Sequence, residues 1–162
     1  MPSGKTHLKI EAGLLFGWTA LTGYLMATGT IEPAAVVAFT LAYAVSMLLL
    51  SPDLDLARSR AFRRWGPVRW IWIPYALLFR HRRLSHHPIF GPLTRVLYLG
   101  GICAIAAAIV VLSMGRPLRI VAPPAEILLA VVLGLYIPNL THILADRVVS
   151  RWRSRRRKRR WL

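Results

Sequence analysis

The sequence predicts an all-α membrane protein, with four transmembrane helices and a cytoplasmic interfacial or re-entrant segment between spans two and three. Three observations lead there. Apolar residues fill 56% of the 162 positions, more than a globular protein uses, and they are bunched into long blocks rather than spread along the chain. Four such blocks, at about residues 8–28, 34–50, 93–114 and 127–144, approach the length of a bilayer span. Four spans place both termini on one side, and 20 of the 22 Lys and Arg then share that side, leaving Arg116 and Arg119 on the other. The positive-inside rule makes the basic side cytoplasmic, so the cell (inner) membrane is the expected location.

The opening MPSGKTH lacks the basic, apolar, small-residue layout of a cleaved leader and is expected to be retained. Thr6 suits a helix N-cap, leaving His7 in the first turn of span one. Lys9 and Glu11 fall near the interface, where lysine can snorkel outward and Glu11 needs a partner. Residues 29–33 turn the chain into span two, which stops at Ser51-Pro52. Residues 57–69 are too basic to span anything. Residues 70–79 are apolar but too short to cross, and their Trp and Tyr suit the bilayer interface or a re-entrant loop. Span three carries Gly100-Gly101 and a run of alanines that permits close packing, within the monomer or against a second copy. Cys103, the single cysteine, forms no internal disulfide and reads as a small core or lipid-facing residue. Span four contains Pro138, which is expected to kink it. Residues 1–150 thus form one domain, followed by a basic cytoplasmic tail, 151–162.

The candidate ligands converge. His7 opens span one, Asp53 and Asp55 follow span two, His81, His86 and His87 precede span three, and His142 and Asp146 close span four. All five histidines and all three aspartates therefore meet at one depth on the cytoplasmic side. Singly, each reads as an interface hydrogen-bonder or a turn residue; jointly they read as a metal site. His142 and Asp146 are four apart and share a helix face. Asp53 and Asp55 share a face only in an extended segment, which Pro52 favours, and a turn is needed between His81 and His86. His and Asp together suit zinc, manganese or iron better than calcium. Zinc or manganese is favoured, as one or two ions with an open position for water. His87, beside His86 and before Pro88, is an outer partner at best.

SPDLDL (residues 51–56), RWGPVRWIWIPY (64–75) and HRRLSHHP (81–88), with TH near the start and HILAD near the end, resemble the bacterial metal-binding integral membrane proteins. These are related to the membrane-bound metal-dependent hydrolases. The resemblance covers nearly the whole chain to about Ser150. It implies that His7, Asp53, Asp55, His81, His86, His142 and Asp146 are the metal-site positions.

The function these residues favour is a metal-dependent hydrolase acting on a phosphoester or lipid-like substrate at the cytoplasmic face. Asp55 or Asp146 would serve as general base, and Arg80, Arg82 and Arg83 would bind an anionic group, as guanidinium binds phosphate. Two alternatives stand beside it: a non-catalytic, metal-stabilised membrane protein, and a membrane anchor that binds nucleic acid through its Arg-rich tail. A juxtamembrane basic segment more often contacts anionic lipid head groups than nucleic acid. A transporter is disfavoured, because no His, Asp or Lys lies mid-span.

Overall fold

The computed structural model of the protein describes residues 4–56, 59–79, 87–115 and 121–159, with side chains described from 5 to 152 within those ranges. Every regular element among them is helical: α1 (Gly4–Ala27), α2 (Pro33–Leu49), a 3-10 turn (Pro52–Asp55), α3 (Arg60–Arg64), a second 3-10 turn (Gly66–Ile71), α4 (Trp72–Leu78), α5 (Phe90–Met114) and α6 (Ala125–Arg159).

Three of these helices are long and apolar enough to cross a membrane, not the four expected: they lie within Pro33–Asp55, Phe90–Met114 and Ala125–Trp152. The first expected span falls short on composition, not length. At 24 residues α1 is about 36 Å long by the helical rise. However, Lys9 and Glu11 stand in its first half, and Gly13, Gly17, Thr19, Thr22 and Gly23 dilute its apolar content. It also begins at Gly4, so Thr6 lies inside the helix instead of capping it. Gly29, at φ 71°, turns the chain from α1 into α2, a backbone region that L side chains disfavour.

α2 and α6 form the main contact of the fold. They run parallel, since Phe39 to Tyr43 meet Gly134 while Ser46 meets Leu135 and Asn139. The closeness depends on Gly134, where a Cβ would lie 2.6 Å from the Phe39 carbonyl oxygen and 2.8 Å from the Ala42 Cβ. The expected close-packing pair behaves otherwise: Gly100 and Gly101 have nothing within 4 Å of a built Cβ. The first turns of α5 meet the bundle, through Gly91, Pro92 and Arg95, and its later residues face outward. Cys103 is exposed on that outer surface.

Pro138 lies inside α6, which continues past it and into the basic residues as far as Arg159. Side chains serve the carbonyls of this turn: Ser46 Oγ and Asn139 Nδ2 both donate to the Leu135 oxygen, at 2.7 and 2.8 Å. Asn139 Oδ1 in turn accepts from Arg95 Nη1 at 2.6 Å. Arg95 is fully buried; its Nε donates to Gly91 O at 2.9 Å and its Nη1 also donates to Leu50 O. One guanidinium thus joins α5, α6 and the carboxyl end of α2, where a positive charge complements the helix dipole.

The segment between α2 and α5 folds against the carboxyl end of α2. Leu50, Leu54, Ala61, Phe62, Trp72 and Tyr75 form its core, and Trp65 Nε1 donates to Leu49 O at 2.9 Å. Asp53 and Asp55 sit in a 3-10 turn, not the extended strand expected of them. Proline at the first position of a helical turn costs nothing, because its missing N–H would be unpaired there.

If Gly134 sets the α2–α6 distance, Gly134→Ala destabilises the protein by about 1–3 kcal/mol through overpacking. Gly100→Ala, with open space around it, stabilises by up to about 1 kcal/mol through helix propensity. Thermal unfolding of both variants checks the pair, and equal effects would contradict the assignment.

Candidate metal centre

Two helices carry the same local pattern in opposite directions. His7 and Glu11 are four apart on α1, and His142 and Asp146 are four apart on α6, so each pair projects from one helix face. Because α1 runs antiparallel to α6, each histidine meets the other helix's carboxylate. His7 Nε2 donates to Asp146 Oδ1 at 3.1 Å, and His142 Nδ1 donates to Glu11 Oε1 at 3.0 Å. The two imidazoles stack, with centroids 3.8 Å apart and planes at 12°. All four residues are buried, His7 and Glu11 at 4% exposure and His142 at 3%. Tyr43 Oη on α2 donates to the Glu11 main-chain oxygen at 3.1 Å, fixing α1 at this level.

What remains unpaired is informative. His7 Nδ1 and His142 Nε2 are buried and have no hydrogen-bond partner among the described residues. Each ring therefore offers one nitrogen to a carboxylate and leaves the other with its lone pair. This is the arrangement in which a carboxylate orients a metal-ligating histidine and fixes its tautomer. Ligand atoms of His7, Glu11 and His142 all lie within 4.8 Å of one another. Asp53 Oδ2 stands 3.9 Å from His142 Nε2, too far for a hydrogen bond. An ion held at His142 Nε2 would therefore have the Asp53 carboxylate beside it in the cavity. Imidazole nitrogen with carboxylate oxygen suits zinc, manganese or iron, and the residues present fit such an ion.

A cavity of about 250 Å³ opens beside the cluster; His7, Glu11, Asp53 and His142 line it, along with Ser59, Arg60 and Arg64 from the α3 region. Burial pushes the pKa of His7 below its usual value, and the adjacent His142 adds to this; Asp146 and Glu11 pull the other way. The ring is thereby kept neutral, the form that binds metal.

Compared with known proteins, residues 2–156 match the family described as uncharacterized metal-binding protein (DUF2227). The chain belongs to this family. An uncharacterized protein of Aquifex aeolicus (strain VF5) is 38% identical over 61 residues, a stretch covering 38% of this chain and 43% of that protein. The match thus spans less than half of that relative's length. No solved structure matches. The family description and the buried His/Glu/His cluster agree on metal binding.

Of the positions expected from sequence, the structure brings His7, Asp53, His142 and Asp146 together, with Asp146 held by His7. Asp55 is buried but does not line the cavity; it lies near enough to Arg95 to act on its charge. His81, His86, Arg80, Arg82 and Arg83 fall outside the described residues. His87 lies at the start of α5, where its Nδ1 accepts from the Ile89 and Phe90 amides at 3.2 and 3.3 Å. Sequence reasoning missed Glu11. The signal was present, since His7 and Glu11 repeat the four-residue spacing of His142 and Asp146.

Two outcomes follow for metal binding, measured by chelator competition on zinc-loaded protein. Asp146→Asn, which disturbs an orienting carboxylate, lowers affinity about 10–100-fold, whereas His142→Ala abolishes binding; the reverse order would make Asp146 the ligand. Because burial lowers the pKa of His7 in the folded protein, its ring stays neutral and open to metal down to about pH 6.5 and protonates below it. Zinc affinity should therefore hold from pH 8 to about 6.5 and decline below; a decline already under way above pH 7 contradicts a neutral, shielded His7.

Proposed function

We propose that the protein is an integral membrane, metal-dependent hydrolase whose metal centre faces the cytoplasm and whose substrate is a phosphoester or lipid-like ester. The cavity carries this proposal. An ion that only fastened helices together would be fully enclosed by protein ligands, whereas an open side beside the ligands leaves room for a reactant. Membrane placement is supported by α2, α5 and α6 and by the apolar side chains on the outer surface. Phe16, Leu41, Leu97, Leu112 and Leu129 are each more than half exposed, an apolar coverage that lipid solvates and water does not. The charge asymmetry of the loops supports a cytoplasmic centre. The exposed Arg151 begins the basic run that would contact anionic lipid.

A bound divalent ion would supply Lewis acidity to an ester and acidify a water beside it. His7 and His142 would hold that ion with Glu11, and Asp146 would orient His7 through its hydrogen bond. Asp53 is the carboxylate best placed to accept a proton from a water in the cavity, being partly exposed there and beside His142. It takes over the base role from Asp55, which does not line the cavity, and from Asp146, which is committed to His7.

A second reading rests on the same cluster. Four buried ionisable groups join α1 to α6, and a purely structural ion there would fasten α1 to the bundle without any reaction. Turnover separates the two. Zinc- or manganese-loaded protein should hydrolyse a generic aryl phosphate ester, and Asp53→Asn should lower kcat by about 10²–10⁴-fold while keeping its ion. An ion-loaded wild type inert toward both phosphomonoesters and phosphodiesters would favour the structural role.

A further inference from the structure

We infer that Arg60 and Arg64 form an anion subsite in the metal-centre cavity, one that takes a phosphoryl group only when the ion is present; this rests on the proposed hydrolase reading and names its substrate-binding residues. The two arginines are four apart on α3, so they project from one helix face, and both line the cavity with Glu11, Asp53, His7 and His142. Neither forms an ion pair with Glu11 or Asp53, although all four share the cavity. The Arg64 side chain makes one hydrogen bond to a described residue, from Nη1 to Leu48 O at 3.1 Å. The Arg60 side chain has no hydrogen bond or ion pair to any described residue. Across the same space His142 Nε2 is buried and unpartnered.

Guanidinium donors suit tetrahedral oxyanions, which accept from them bidentately. The carboxylates of Glu11 and Asp53, which line the same cavity, would repel such an anion. A divalent ion held by the histidines and Glu11 would reverse that balance, adding its positive charge to that of the arginines. The order of binding follows: ion first, phosphoryl group second. A volume of about 250 Å³ admits a phosphoryl group and a short part of its ester, with the remainder lying outside. A soluble phosphate ester and a phosphatidate head group offer the same chemistry to these residues.

Isothermal titration of inorganic phosphate into protein held in phosphatidylcholine nanodiscs tests this, with metal content measured on every sample. The zinc-loaded wild type should bind phosphate and the metal-free protein should not. Arg60→Gln should weaken phosphate binding about tenfold or more, equivalent to about 1.4 kcal/mol, with its zinc content unchanged. Arg60 is the first choice because Arg64 also serves a carbonyl of α2; Arg64→Lys, which keeps the charge but loses the fork, should weaken binding less than Arg60→Gln. Competition by glycerol phosphate, or by phosphatidic acid added to the disc, would support the subsite and assign its source. Zinc-loaded wild type that ignores phosphate, or Arg60→Gln that binds it as tightly as wild type, overturns the subsite while leaving the metal centre standing. Failure of the wild type to load zinc at all would instead overturn the metal-centre reading.

Discussion

The structure depends on the reciprocal pairing of two histidines with two carboxylates across antiparallel helices. His7 bonds to Asp146 and His142 bonds to Glu11, so α1 and α6 are matched in register at the end where the basic residues collect. Buried ionisable groups are tolerated only when their partners are in place, and removing one member of such a pair costs several kcal/mol because the other is left uncompensated. The pairing therefore fixes the position of α1 as well as the tautomers of both rings. Two nitrogens are left over, one per ring, and their unpaired state is the strongest physical sign that an ion belongs there.

A second polar group supports the first from within the bundle. Arg95 gathers the carboxyl end of α2, Asn139 of α6 and Gly91 of its own helix, and lies close to Asp53 and Asp55 electrostatically. The turn carrying Asp53 follows directly from the helix end that Arg95 holds. The placement of a cavity carboxylate thus traces back to a guanidinium that does not itself line the cavity. In an apolar surrounding such a network orders the chain only when each member is satisfied, and the Ser46–Asn139–Leu135 contacts complete it beside Pro138.

Much of this was legible in the chain. The bunched apolar runs mark the helices, and the confinement of all His and Asp residues to one end points to a shared site. What escaped has physical causes. Glu11 looked like an isolated interfacial charge because a glutamate in an apolar run has no meaning until its cross-helix partner is known. Arg95 read as part of the cytoplasmic charge, since nothing in a sequence says that a guanidinium near a helix start is buried. Gly100-Gly101 carries the familiar close-packing pattern, yet the backbone approach occurs at the lone Gly134, because the helix bearing the pair faces outward. Pro52 suggests an extended Asp-x-Asp pair, but proline starts a helical turn as readily as it breaks one, and the pair sits in a 3-10 turn.

X-ray absorption spectroscopy at the metal edge of the zinc-loaded protein tests the central claim most directly, because it reports the ligand atoms themselves. Two imidazole nitrogens with carboxylate or water oxygens in the first coordination shell, and loss of one imidazole in His7→Ala, are what the crossed His/carboxylate pairs predict. A shell of oxygens alone, or one unchanged in His7→Ala, would mean that the two unpaired nitrogens do not face an ion and that the crossed pairs are only a means of holding α1 to α6.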